Sequence, residues 1–310
     1  MKQNGFEFAN ESKSLSEVLE EVKKASMPTA TKVDTLVKLG LSKADVWRFF
    51  NAPVAMPKAQ RLDFTFGVEI ECITQWGRLQ DEIANKEVPL QANVRFGAYT
   101  HRDSDTGYKF VTDGSLSASR IEDGRGIECV SPVLRGKKGF DSLKNTCAAL
   151  VDAGAKVNKS CGLHVHIGAN GLTGEQYVNV FRNYQKLENV IDSFMAKSRR
   201  ASHAFYAKSL MYYDFSSCHD WYDVNRKLND RYFKVNPESY ERHHTIEFRQ
   251  HQGSTNFHKI EMWVKFCAKL VNWSKDNVLS DVVRDIDDVP FLNNTEKAFF
   301  KSRINHFSAE

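Results

Sequence analysis

Along residues 64–72 apolar and polar side chains alternate, and the rest of the chain repeats this pattern. Read as a strand, the segment puts Phe64, Phe66, Val68, Ile70 and Cys72 on one face and Glu69 with Glu71 on the other. One face is core and the other is acid. In 126–132, Glu128 stands opposite Ile127 and Cys129; in 161–168, Leu163, Val165 and Ile167 oppose His164 and His166 between bracketing glycines. In 245–251, Ile246 and Phe248 oppose Glu247, Arg249 and His251. Residues 92–102 and 107–113 read as two more strands, the second ending at Asp113 before the Gly114-Ser115 turn.

Helical spacing fills the intervals. Residues 139–153 place Phe140, Leu143, Cys147, Leu150 and Val151 on one side, with Gly154 as the stop. Thr173-Gly174-Glu175-Gln176 is a capping box, followed by the stripe Tyr177, Val180, Phe181, Tyr184, Leu187, Ile191 and Phe194. Residues 257–275 carry Ile260, Trp263, Cys267 and Leu270 at helical spacing, and 279–310 read as helical and peripheral. No period organises 74–91. Residues 199–240 are irregular, basic and aromatic, either a solvated face or a lid over an anionic ligand.

Ahead of the first strand, residues 1–12 have no pattern, Leu15, Val18, Leu19 and Val22 suggest a short helix, and 31–39 a second with Val33, Leu36 and Val37 inward. A turn at Gly40-Leu41-Ser42 leads to a third through Val46, Phe49 and Phe50. Residues 31–50 thus have the outline of a helix-turn-helix, the one route here to nucleic acid, but sparse basic residues on its second helix equally fit a plain helical hairpin. With 51–57 as linker, the expected organisation is a helical extension, 1–58, and a main domain, 59–310.

Composition removes several function classes. Lys and Arg outnumber Asp and Glu 43 to 39 in 310 residues, too little for general attraction to nucleic acid or membrane. No apolar run approaches a membrane span and no secretory leader opens the chain, so the expected location is cytoplasmic. Cys72, Cys129, Cys147, Cys161, Cys218 and Cys267 form no C-x-x-C pair and read as reduced core thiols. Neither common phosphate-cradling glycine loop is present.

Taken singly, each acid reads as a solvated side chain. On one surface, however, Glu69, Glu71, Glu128 and Glu247 with His164 and His166 repel unless cations lie between them. Carboxylates with few imidazoles and no thiolate suit Mg²⁺ or Mn²⁺. Arg249, on the same face, suits a transferring phosphoryl group. The reading is Mg-ATP chemistry on the concave face of an antiparallel sheet. A metal-dependent hydrolase or nuclease shares the acids, yet no H-E-x-x-H helix is present and Arg249 has no task in peptide hydrolysis. A phosphotransferase on the same fold would differ in leaving a stable phosphorylated product.

The ordered set Gly67-Val68-Glu69-Ile70-Glu71, Thr112-Asp113-Gly114-Ser115, Glu128-Cys129-Val130-Ser131-Pro132, Gly162-Leu163-His164-Val165-His166, Arg231-Tyr232 with Asn236, and Thr245-Ile246-Glu247-Phe248-Arg249 resembles the amidoligase family. That family has the glutamine synthetase and glutamate–cysteine ligase fold. The resemblance implies an α+β fold, a curved antiparallel sheet with helices on its outer face, and ATP-dependent amide or isopeptide bond formation through an acyl phosphate. Its substrates would be small-molecule or peptide carboxylates and amines. It further implies that Glu71 and Glu128 hold one metal, and that Glu69, Glu247 and a histidine, His164 ahead of His166, hold the other. Arg249 would neutralise the phosphoryl group, Asp113 and Glu122 would position or deprotonate the amine, and Arg231, Lys234 and Asn236 would contact the nucleotide.

Overall fold

The computed structural model describes residues 2–3, 6–7, 22, 29–38, 64–98, 105–118, 123–200 and 205–308. The chain divides into two units, Met1–Arg61 and Leu62–Glu310. In the first, Lys2–Gln3 pairs with Phe6–Glu7 and a helix spans Thr29–Lys38 with Leu36 fully buried, as the spacing of 31–39 predicts. The turn at 40–42, the helix expected through 46–50 and the linker lie outside the described residues.

The second unit runs β1 (Thr65–Thr74), α1 (Trp76–Asn85), β2 (Lys109–Thr112), β3 (Arg125–Val130), β4 (Leu134–Arg135), α2 (Gly136–Asp152) and β5 (Gly162–Gly168). It continues α3 (Gly174–Ser193), α4 (Trp221–Leu228), β6 (Val235–Asn236), α5 (Ser239–His243), β7 (Thr245–Gln252), α6 (Phe257–Trp273) and α7 (Asn294–Ser308). Among the described residues, seven strands make one open antiparallel sheet in the order β2-β3-β1-β5-β7-β6, with β4 pairing the start of β1. No described helix is long and apolar enough to cross a membrane.

The sheet buries one face completely. Phe66, Val68, Ile70 and Cys72 of β1 and Leu163, Val165 and Ile167 of β5 expose 2 % or less. Phe66 stacks on Phe140 of α2 at 4.6 Å and Phe248 meets Tyr184 of α3 at 5.8 Å, so helices cover this face. All six cysteines are free and buried. The capping box at Thr173 forms as predicted, both reciprocal hydrogen bonds present.

Several sequence expectations change. Residues 92–98 are not a strand: Asn93 and Gly97 take positive φ, and single bridges at Leu90 and Gly97 replace a ladder. The patternless 74–91 holds α1, whose Leu79 and Ile83 are buried among charges that mask the spacing. The irregular 199–240 holds α4 and β6, and Val151, expected inward, is 53 % exposed.

The largest change concerns His251. Between β5 and β7 the pairing passes from Val165 opposite Phe248 to Leu163 opposite His251, so Arg249 and Gln250 together face His164. This bulge inserts one residue and reverses the alternation beyond it. His251 therefore shares the core side with Leu163, its ring 5.7 Å from Trp263 and its Nδ1–H donating to the Gln252 carbonyl at 2.6 Å. Burial pulls its pKa from 6.5 down to about 3. The unfolded chain thus takes up this proton first as pH falls, and stability is lost progressively from the unfolded value down to the folded one. In urea titrations at about pH 7 and about pH 4.5, the midpoint of His251→Phe should fall less than that of the wild type. Parallel falls would show that His251 enters acid unfolding already protonated.

Candidate active site

Register delivers the polar residues to the other face. Glu71 lies opposite Glu128, Glu69 opposite His164, and His166 opposite Glu247, across four adjacent strands. His164 Nδ1 is 2.9 Å from Glu69 Oε2 and 3.7 Å from Glu247 Oε1, and its Nε2 is 3.6 Å from Glu71 Oε1. Glu247 accepts from Arg249 Nη1 at 2.5 Å and from Asn236 Nδ2 at 2.5 Å. The Gly162 N–H donates to Glu71 Oε2 at 2.5 Å. Two trios offer ligand atoms within 4.8 Å of one another: Glu69, His166 and Glu247, and Glu69, Glu128 and His164.

The division of ligands differs from the one the resemblance implies. Both imidazoles stand by Glu69: His166 completes a trio with Glu69 and Glu247, while His164, itself 3.7 Å from Glu247, completes one with Glu69 and Glu128. Glu69 belongs to both sets, and Glu71 turns to the Gly162 amide.

The electrostatics match crowded acids. Burial, then the charges of Glu69, Glu71, Asp113 and Glu247, push the Glu128 carboxyl well above its usual range. Burial works the same way on Glu69, but the hydrogen bond with His164 and the proximity of the His166 ring outweigh it and hold Glu69 well below. Burial also opposes ionisation of Glu247, and the Arg249 charge overcomes it. A carboxyl whose ionisation is opposed by burial and then by its carboxylate neighbours marks a place where a divalent cation is favourable.

The donor set tests well against Mg²⁺ or Mn²⁺: carboxylates and imidazoles, with no thiolate. His166 Nδ1 lies 2.9 Å from Thr245 Oγ1, which fixes the ring. Its buried Nε2, 3.5 Å from Glu69 Oε1, makes no hydrogen bond among the described residues, as a ligating nitrogen requires. The buried Nε of Arg249 is likewise without a partner. A cleft of about 550 Å³ opens over this floor, with Glu69, Glu128, His166 and Glu247 in its lining.

A family model described as "Putative amidoligase enzyme" matches residues 62–271. The chain belongs to the amidoligase family. No curated protein matches it. The matched span contains every strand of the sheet, and the family is one of ligase enzymes.

The remaining predicted residues of this amidoligase are placed unevenly. Arg231 is exposed at the cleft, its guanidinium 5.6 Å above the Tyr232 ring, on which Arg249 also sits at 5.8 Å. Asn236 lines the cleft and bonds Glu247. Lys234 is fully buried instead, with Nζ 2.8 Å from Glu188 and 2.5 Å from Asp192. Asp113 accepts from the Ser115 N–H at 2.8 Å and the Ser115 hydroxyl at 2.7 Å, closing its own turn. Glu122 lies outside the described residues. His251 faces the core.

Sequence reasoning missed two features of the amidoligase site. Arg242, His243 and His244 line the cleft together, and a basic run immediately before β7 was the available signal. Arg199 is 5 % exposed with its charge acting on Glu71, and nothing local distinguished it from other basic residues in its segment.

Proposed function

We propose that this amidoligase joins a carboxylate to an amine using ATP, with Mg²⁺ or Mn²⁺ at the acid centre, on a curved sheet of the glutamine synthetase kind. The observation that carries the reading is the placement of Arg249: it shares one face with two acid–imidazole trios that meet at Glu69, and bonds a member of one of them. Simple cation storage has no use for a buried guanidinium beside the ligands; phosphoryl transfer does.

In this reading a substrate carboxylate oxygen attacks the γ-phosphorus and ADP leaves. The amine then attacks the acyl carbon, loses a proton, and phosphate leaves. Metal ions, when bound, neutralise the polyphosphate and align its terminal group. Glu69 contributes to both cation positions, Glu128 and His164 to one, and Glu247 and His166 to the other. Asn236 and Thr245 hold Glu247 and His166 in their orientations. Arg249 stabilises negative charge on the phosphoryl group in flight. Arg231 and Arg242, exposed at the cleft, favour the approach of anionic reactants. The substrates are small-molecule or peptide carboxylates and amines.

The test is a pool of carboxylic acids and amines incubated with ATP and Mg²⁺ and read by mass spectrometry. The expected product is lighter by one water than the sum of two inputs, with phosphate released only when both kinds of acceptor are present. A stable phosphorylated acid in the absence of amine, or phosphate release with water alone, would overturn ligation in favour of phosphotransfer or hydrolysis.

A further inference from the structure

Arg199 ends the one-turn helix Lys197–Arg199 and has no place in the interactions described so far. Its location is defined by Gly162, which lies on the same face of β5 as His164 and His166. A Cβ on Gly162 would stand 3.0 Å from Arg199 Nη2, 3.2 Å from Arg199 Nη1 and 3.0 Å from His164 Nε2. The space left by the missing side chain is therefore occupied by the guanidinium, which reaches the site face of the sheet beside the carboxylate that the Gly162 N–H holds.

Arg199 is 5 % exposed as a residue, its guanidinium has no hydrogen bond shown among the described residues, and Glu71 acts on it through charge. Arg249 is near enough to repel it. Arg249 in turn spends Nη1 on Glu247 and leaves its buried Nε unpartnered. Two like charges close enough to repel, Arg199 beside Gly162 and Arg249 beside Glu247, are complementary to an anion with several acceptor oxygens. A tetrahedral phosphoryl group offers three oxygens and up to two charges to the two forks, against two oxygens and one charge from a planar carboxylate.

We propose that Arg199 and Arg249 together form a phosphoryl-oxyanion site at the edge of the acid centre, with Arg199 as an anion-binding residue. The proposal rests on the ligase reading for the source of the oxyanion, either the terminal phosphoryl of a nucleotide or the phosphate released.

The test is equilibrium binding to the full chain, without turnover. Calorimetry with Mn²⁺ alone, then with inorganic phosphate or AMP-PNP in the presence of Mn²⁺, is compared for wild type, Arg199→Met and Arg199→Lys. Removing a positive charge beside the metal ligands should leave Mn²⁺ binding as tight or tighter, while loss of the fork weakens the phosphoryl probe by about 10- to 100-fold. Arg199→Lys should recover part of that loss. Weakening confined to AMP-PNP identifies the nucleotide's terminal group, and weakening of inorganic phosphate identifies the released product. Equal phosphate and AMP-PNP affinities in wild type and Arg199→Met overturn the assignment and leave the ligase reading standing. A parallel loss of Mn²⁺ and phosphate binding also overturns it, because it makes Arg199 a structural residue. Wild type that binds neither Mn²⁺ nor AMP-PNP overturns both.

Discussion

Arg249→Met should lose about a thousandfold or more in kcat of ATP-dependent ligation. Arg249 is 5 % exposed, and although burial opposes its charge, Glu247 and Glu69 more than compensate and raise its pKa. The guanidinium is thus a permanent cation, prepositioned by its Glu247 bond and seated on Tyr232, with donors left over for a developing negative charge. A residue used in this way contributes mainly in the transition state, so kcat falls further than nucleotide affinity does. Arg249→Lys keeps a charge but not the fork and should lie between wild type and Met. Mn²⁺ affinity separates this loss from collapse of the site. Without the guanidinium, Glu247 is a stronger ligand, so Mn²⁺ should bind Arg249→Met at least as tightly as wild type. A kcat within about tenfold of wild type, with Mn²⁺ binding preserved, would mean that some other group neutralises the phosphoryl charge.

How much of this was legible depended on which interactions set each position. The acid face of β1, β3, β5 and β7 was readable because period-two alternation is local, and burial of the opposite face leaves the register little freedom. His251 was misplaced because the bulge that turns it inward is a property of the β5–β7 pairing and leaves no mark within residues 245–251. The same pairing sets His166 opposite Glu247 and puts Arg249 and Gln250 together across from His164, which no inspection of two histidines on one strand face could decide. Residues 92–98 looked extended because alternation was read through Asn93 and Gly97, whose positive φ bends the chain. Arg199 was invisible for a different reason: the space its guanidinium takes is left by a glycine distant in sequence, Gly162 of β5.

Lys234→Met should destabilise the second unit by roughly 3–5 kcal/mol, lowering Tm by about 10 °C. Nucleotide affinity measured well below the transition should stay within a few-fold of wild type. Lys234 Nζ and Glu188 are both fully buried, and Glu188 Oε2 also accepts from the Leu210 N–H at 2.9 Å. Asp192, more exposed, takes the lysine at 2.5 Å and a bond from Gln250. Removing the ammonium strands the Glu188 carboxylate in the interior, whereas removing both charges does not. Lys234→Met with Glu188→Gln, which keeps an acceptor for Leu210, should therefore recover most of the loss. The Lys234 carbonyl accepts the Arg249 N–H at 2.9 Å, so this ion-pair network supports the backbone beneath the phosphoryl-facing arginine. A cation in a basic, aromatic segment suggested nucleotide contact, but its burial against two carboxylates makes it a support for the strand. A Lys234→Met protein of unchanged stability that binds nucleotide about a hundredfold more weakly would reverse that assignment.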